Sequence, residues 1–306
     1  MSGIEMLTQV RPRMGTLLAV SLPSSGPGDQ MDRIRTVFDI AGRLERLMSR
    51  YDAASDLSRL NARAGTRTPL RSAELAPVLR TACELSDRLN GAFDPTVAPV
   101  LDLWRRAARR GTSPSPTALR RARSRVGAHA IRVTDTLIVL ERPGMSLDLG
   151  ALGKGLALDE IAATLRRDGC RSGLLNFGES SLLAIGRPPG RHWRVVLRDP
   201  FGGFAGEFAL CDRACSTSAT LGQRVRIGGR VFGHIIDPRT GHPLRRAAQV
   251  TVLARSAAVA EAVSTALLVL GRHAVNGIAA RMAVDVCWID RDGIRTTPWF
   301  LLRRPA

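Results

Sequence analysis

An α+β fold is the class this sequence predicts, with mixed or antiparallel sheets interrupted by helical insertions. Three observations lead there. Strand-like runs come in pairs around tight turns, as in "AIRVTDTLIVLE" (130–141) and the segments flanking Asp292-Gly293. Helical periodicities fall at irregular intervals, without the regular strand–helix alternation of a doubly wound sheet. The 306 residues, 44% of them hydrophobic, suffice for one large core or two linked ones. There is no internal repeat.

In chain order, "MGTLLAVSLP" (14–23) is a β-type run ending at Pro23, and "PSSGPGD" is a loop. Met31, Ile34, Phe38, Ala41 and Leu44 recur every three or four residues, which predicts an amphipathic helix over 30–50. A second helix covers 73–90 and stops at Asn90-Gly91; two prolines in "GAFDPTVAPVLDLW" forbid a regular helix at its start. Residues 130–141 form two short strands around Thr134 to Thr136. "MSLDLGALGKGLALDEIAATLRRDG" gives a strand, a glycine-spaced turn and a helix closed by Gly169. Strands follow at 172–177, 192–198, 207–211, 224–228 and 231–236, the last two as a hairpin across Gly228-Gly229. "QVTVLARSAAVAEAVSTALLVLG" is strand then helix, another helix spans 273–281, and "AVDVCWID" and "IRTTPWFL" flank the final turn.

Composition narrows the function classes. No window approaches the 18 to 20 or so uninterrupted apolar residues of a membrane span, and "MSGIEMLTQVRPRMG" lacks the apolar core of a signal peptide, so the expected location is cytoplasmic. Five cysteines, an odd number without a CxxC pair, are expected to be reduced small apolar residues. A net charge of +18 raises nucleic acid as a partner. Against it stand 4% aromatic residues, one tyrosine and no nucleic-acid-binding motif, so that partner is not expected. The densest basic stretch, "RRAARRGTSPSPTALRRARSR" (105–125), has eight arginines and no acid; it is a solvated face or a docking surface for an acidic partner or phosphate.

Lys154, in "GALGKGLALDE", is the single lysine of the chain; the other 44 basic residues are arginine. Gly150, Gly153 and Gly155 clear side chains from a strand-to-helix turn, which suits either a phosphate at a helix start or tight packing. Lys154 supplies a compact charge where a planar guanidinium would act differently. Asp148 and Asp159 either hold sugar hydroxyls or cap and solvate. In "HIIDPRTGHP", His234 stands at a strand end with Asp237 nearby, an arrangement open to general-base work or to a structural role. Glu261 and Thr265, four apart on an otherwise apolar helix, need polar partners: a magnesium ion, or an arginine reached by the Glu.

"MGT", "SRYDAASDLSRLN", "GAFDPTVAPVLDLW", "LDLGALGKGLALDEIA", "CSTSAT", "HIIDPRTGHP" and "VTVLARSAAVAEAVSTAL" occur in one order over residues 14 to 290. In that order and spacing the chain resembles the ApbE-like FAD:protein FMN transferases. The resemblance implies a T-fold-like architecture in one unit over 1–306, as a single body or as two lobes with the active site between them. It implies cleavage of FAD at its pyrophosphate with Mg2+, transfer of FMN to a threonine or serine hydroxyl of an acceptor flavoprotein, and release of AMP. Met14, Tyr51, Ala92, Phe93, Asp94, Asp148, Lys154, Ile235 and Ser264 then correspond to FAD contacts. Ala151 (through its carbonyl), Glu261 and Thr265 correspond to the metal site, and His234, with Lys154, to the reacting centre. Glu261 stands where the family has aspartate, "NFGESS" replaces a "GGD"-like turn, and "CSTSAT" lacks a glycine. An FAD pyrophosphatase, or an FAD-binding protein impaired in catalysis, are the alternatives in the same pocket; no signal specifies an oligomeric state.

Overall fold

Alternation in "TLLAVSLP" buries Leu18, Val20 and Leu22 on one face of a strand, and seven further strands extend it into a single sheet. The computed structural model of the protein describes residues 6–23, 27–66, 68–188, 190–221, 224–227 and 230–304. The sheet is formed by β1 (Met6–Arg13), β2 (Thr16–Pro23), β6 (Gly173–Phe177), β7 (Ser181–Ile185), β10 (Ala214–Ala219), β13 (Ala248–Ala254), β14 (Asp285–Asp290) and β15 (Gly293–Thr296), in that spatial order. Every neighbouring pair is antiparallel.

Between β2 and β6 the chain inserts α1 (Pro27–Met48), α2 (Asp56–Ala62), β3 (Leu70–Arg71), α3 (Leu75–Arg88), α4 (Ala98–Arg110), α5 (Pro116–Arg123), β4 (Ile131–Val133), β5 (Leu137–Leu140) and α6 (Gly153–Arg167). Strands β3, β5 and β4 make a small sheet of their own. Two hairpins, β8 (Trp193–Arg198) with β9 (Phe204–Leu210) and β11 (Arg224–Ile227) with β12 (Arg230–Gly233), stand apart from the main sheet. Two C-terminal helices, α7 (Ala257–Leu270) and α8 (Val275–Met282), precede β14. The α+β class expected from the sequence is the class observed.

Helix α7 lies against β10 and β13 on one side and α6 on the other, so it is buried almost all round. That explains its apolar sequence and leaves Glu261, Ser264 and Thr265 as its polar residues. One core joins the main sheet to α1, α3, α6 and α7; a second lies under β8 and β9. A third joins α4 and α5 to the β11–β12 hairpin through Val100, Trp104, Ala107, Ala122, Phe232 and Ile236.

Several expectations need correction. Strand β1 was not expected; it pairs with β2 around Met14-Gly15, whose φ values of 48° and 72° fit a two-residue hairpin turn. Strands β7 and β10 were missed as well, and β9 begins three residues earlier than expected. Residues 145–149 form no strand, because their polar backbone is taken elsewhere: Leu147 N–H donates to the Asn61 side chain at 2.7 Å and Asp148 N–H to the Pro95 carbonyl at 2.8 Å. The Gly228-Gly229 turn and the Ser24–Gly26 part of the first loop lie outside the described residues.

Candidate active site

Lysine 154 sits in the first turn of α6, and its ammonium lies 3.0 Å from Oε1 of Glu261, which is 3% exposed. The partner demanded by an acid on an apolar helix is therefore the one lysine of the chain, in place of the arginine weighed from sequence. Glu261 Oε2 accepts the Gly155 N–H at 2.9 Å, and Oε1 also accepts the Ser181 hydroxyl from the start of β7. Gly155 makes this approach possible: a Cβ there would meet the backbone of Ala257 and Ala258 at 2.6 Å. The joint is reciprocal. Asp159, on α6, accepts the N–H groups of Ala257 at 2.7 Å and Ala258 at 3.0 Å, together with the Ser256 hydroxyl, so it caps α7 from a neighbouring helix. Burial, outweighing these hydrogen bonds, pushes the Asp159 carboxyl above the usual Asp range.

Below Glu261 runs a strip of hydroxyls. Alternate residues of "CSTSAT" turn Ser216 and Ser218 toward α7, where Ser264 Oγ lies 3.2 Å and 2.8 Å from them and Thr265 Oγ1 lies 3.4 Å from Ser218. Thr217, between them, faces away and meets Thr251 at 2.9 Å. Sequence reasoning missed Ser181, Ser216 and Ser218. Their signal was a serine-rich strand at period 2 opposite a helix bearing hydroxyls.

A second cluster converges on Asp148. Arg50 holds Asp148 at 2.7 Å and Asp102 at 2.6 Å, and Gly150 N–H donates to the other Asp148 oxygen at 2.8 Å. Tyr51 follows, 79% exposed, with its ring 5.6 Å from the Arg50 guanidinium and its hydroxyl accepting from Arg105 at 3.3 Å. Ala92, Phe93 and Asp94 are buried beside this cluster, since Pro95 bonds Asp148. The Asp94 carboxylate faces inward, accepting from Thr96 N–H at 2.8 Å, Thr96 hydroxyl at 2.6 Å and Ala128 N–H at 3.1 Å; burial, against those bonds, raises its pKa. Met14 occupies the β1–β2 turn, its N–H held by Glu45 of α1 at 2.8 Å.

His234 follows β12 directly and is exposed, while Ile235 is buried and its carbonyl accepts the Leu244 N–H at 2.9 Å. Asp237, offered by sequence as an orienting carboxylate, is held by Arg239: Oδ1 accepts its N–H and Nε, and Oδ2 its Nη2 at 2.8 Å. The turn is pinned by Trp104 of α4, whose Nε1 donates to the Gly241 carbonyl at 2.8 Å.

Lys154, Glu261, Ser264 and Thr265 are thus joined, with Ala151 one turn before Lys154. Tyr51, Asp94 and Asp148 form a neighbouring group, and α4 links that group to the His234 turn. Among the described residues there is no cluster of three or more His, Cys, Asp or Glu side chains suited to a metal. Among the described residues, cavities of about 460 and 370 Å3 lie off this cluster, both lined by Arg246 and Asp290; the larger also touches Thr220 and Gly233, the latter next to His234.

With this geometry in place, the comparisons with known proteins are specific. A protein of Rhodobacter capsulatus described as FAD:protein FMN transferase is 36% identical over 241 residues, covering 76% of this chain and 46% of that protein, so the chain spans about half of that relative's length. A Treponema pallidum protein of the same description is 30% identical over 84% of this chain and 77% of its own. The solved flavin transferase ApbE of Vibrio cholerae superposes with a TM-score of 0.83 at 24% identity, covering 96% of this chain and 97% of that one, a likeness of fold. The apo flavinyl transferase ApbE of Pseudomonas stutzeri gives 0.81 at 26% identity over 96% of this chain and 94% of its own. The ApbE family profile matches residues 14–288, and the chain belongs to the ApbE family.

Proposed function

We propose that the protein transfers FMN from FAD to a threonine or serine hydroxyl of an acceptor flavoprotein, with Mg2+ as cofactor and AMP as the product released. The observation that carries this reading is the junction of Lys154 with Glu261, which sets an ammonium and a carboxylate beside the glycine turn and a strip of hydroxyls. Relatives bearing the FAD:protein FMN transferase description support it.

In this reading the acceptor hydroxyl attacks the FMN-side phosphorus. A new phosphoester bond forms, the bridging P–O bond to the AMP phosphate breaks, and AMP leaves with the electron pair. His234 takes the proton from the hydroxyl, a contribution of about 10² to 10⁴ in rate. Lys154 offsets negative charge growing on the bridging oxygen. Tyr51 lays its exposed ring along the flavin, beside Met14, Ala92 and Phe93. Asp94 contributes through the turn that it holds, and Asp148, fixed by Arg50, together with Ile235 and Ser264, orients the dinucleotide.

The donor types suit a small hard cation: the Glu261 carboxylate, the Thr265 hydroxyl and the Ala151 carbonyl are all oxygen ligands. Among the described residues Oε2 of Glu261 accepts only the Gly155 N–H, which leaves it a lone pair. When bound, Mg2+ would neutralise phosphate charge and make AMP a better leaving group.

We read the 306 residues as one catalytic unit in two lobes, the α4–α5 lobe facing the main body across the site. A cytoplasmic location is supported by five unpaired thiols, which suit a reducing compartment; no helix among the described residues is long and apolar enough to cross a membrane. Incubating the protein with FAD, Mg2+ and a threonine-bearing acceptor, then weighing the acceptor by mass spectrometry, tests the proposal. An acceptor heavier by FMN, with AMP released in equal amount, is expected; AMP without added mass refutes transfer.

A further inference from the structure

Helices α4 and α5 carry the densest positive charge in the molecule, and this charge is unbalanced. No acidic residue occurs from 103 to 134. Arg105, Arg106, Arg109 and Arg110 on α4, and Arg120, Arg121 and Arg123 on α5, are all exposed. Arg105 pairs with Asp102 at 3.5 Å and Arg123 donates to the Arg239 carbonyl. Among the described residues the other five meet no carboxylate at ion-pair distance, whereas Arg194 and Arg213 each meet one and Arg43 and Arg50 two. Helix dipoles account for arginines in the last turns, at Arg109 and Arg110 of α4 and at Arg120, Arg121 and Arg123 of α5. They do not account for Arg106, which stands one turn from Arg110 as a like-charge pair that weakens a helix.

The place of this face in the fold is as telling as its charge. Arg105 donates to the Tyr51 hydroxyl, while Trp104, its chain neighbour, holds Gly241 in the turn after His234. Arg123 of α5 bonds Arg239 in the same turn, and Leu119 packs where a Cβ of Gly241 would lie, 3.1 Å away. The arginine face is therefore continuous with both Tyr51 and the His234 turn, and it is held there by a core of its own.

We propose that this face is the docking surface for the acceptor protein, which presents an acidic surface beside its target hydroxyl. The inference rests on the transferase reading. A field of unpaired guanidinium groups beside a reacting centre draws in and orients a macromolecule of opposite charge, raising the encounter rate in a salt-sensitive way.

The test uses the full chain with FAD and Mg2+ and two synthetic threonine peptides of equal length, one flanked by Asp and Glu, the other by Asn and Gln. Binding is read by fluorescence anisotropy at low and high salt. The variant R106Q/R109Q/R120Q/R121Q leaves every residue assigned to the site in place and keeps helix propensity. The acidic peptide is expected to bind about tenfold tighter at low salt, with the preference fading at high salt and in the variant, while FAD affinity stays within about twofold. Equal binding of the two peptides, or a preference that survives in the variant, overturns the proposal. An oligonucleotide that binds this face more tightly than the acidic peptide also overturns it, in favour of nucleic acid. A preference that behaves as expected while neither peptide gains FMN mass sustains the docking face and sinks the transferase reading.

Discussion

Replacing Lys154 with methionine keeps most of the side-chain volume and removes the charge opposite a carboxylate that is 3% exposed. Loss of one partner from a fully buried pair costs about 3 to 5 kcal/mol. Two features reduce that here: the lysine side chain is 22% exposed, so water reaches the vacated position, and Glu261 keeps its bonds from Ser181 and Gly155. The expected loss is about 2 to 3 kcal/mol. For a chain of this size that lowers the melting temperature by roughly 3 to 5 °C, measured by scanning calorimetry without FAD or Mg2+. The double variant Lys154→Met/Glu261→Gln is the decisive arm. A neutral amide no longer needs the cation and still accepts from Gly155, so the pair should recover at least about 1 kcal/mol relative to the single lysine variant. A Lys154→Met protein as stable as the parent, or a double variant no better than the single one, would refute the reading that these two groups lock α6 to α7.

Three other outcomes follow from the geometry. His234→Ala should lower FMN transfer by about 10²- to 10⁴-fold while the melting temperature stays within about 2 °C, because the side chain is exposed; steady-state AMP release and calorimetry check both. Asp159 holds its proton more tightly folded than unfolded, since burial raises its pKa, so its contribution to stability falls as pH rises from about 3.9 through the folded value and is flat beyond. The stability difference between parent and Asp159→Asn in urea titrations should accordingly shrink or reverse from about pH 4 to pH 7; a difference that grows with pH would contradict the assignment. Burial pushes the thiols of Cys215 and Cys287 up to about 12 and that of Cys83, with Asp87 and Asp94 adding to it, to about 11, while Cys211 is exposed. Native protein at mildly alkaline pH should present one fast-reacting thiol to a disulfide reagent, abolished by Cys211→Ser, and all five in denaturant.

What the sequence made legible were the features with strong local signals. The apolar period of α1, the Gly169 stop of α6 and the lone acid on α7 were all readable without a fold. The missed strands had no such signal. β1 carries Arg11, Pro12 and Arg13 on an exposed edge, which hides its alternation. β10 has serine or threonine at three of its six positions, and Ser216 and Ser218 among them meet a hydroxyl of α7 rather than methyl groups. β7, buried on both faces, is one serine followed by a four-residue apolar run that periodicity cannot tell from a helix segment. Within the site, the need of Glu261 for a partner could be stated from sequence; that the partner is Lys154, 107 positions earlier, required the α6–α7 packing.

Because Asp159 finishes the start of α7 while Gly155 and Lys154 satisfy the acid in its second turn, the two helices behave as halves of a clasp, each incomplete until the other closes on it. Cutting the chain between β6 and β13 would yield fragments that each carry one half, with bare amide groups at one helix start and a stranded carboxylate within the other. Such fragments should gain helical order and flavin affinity together on mixing, in one concerted step rather than two.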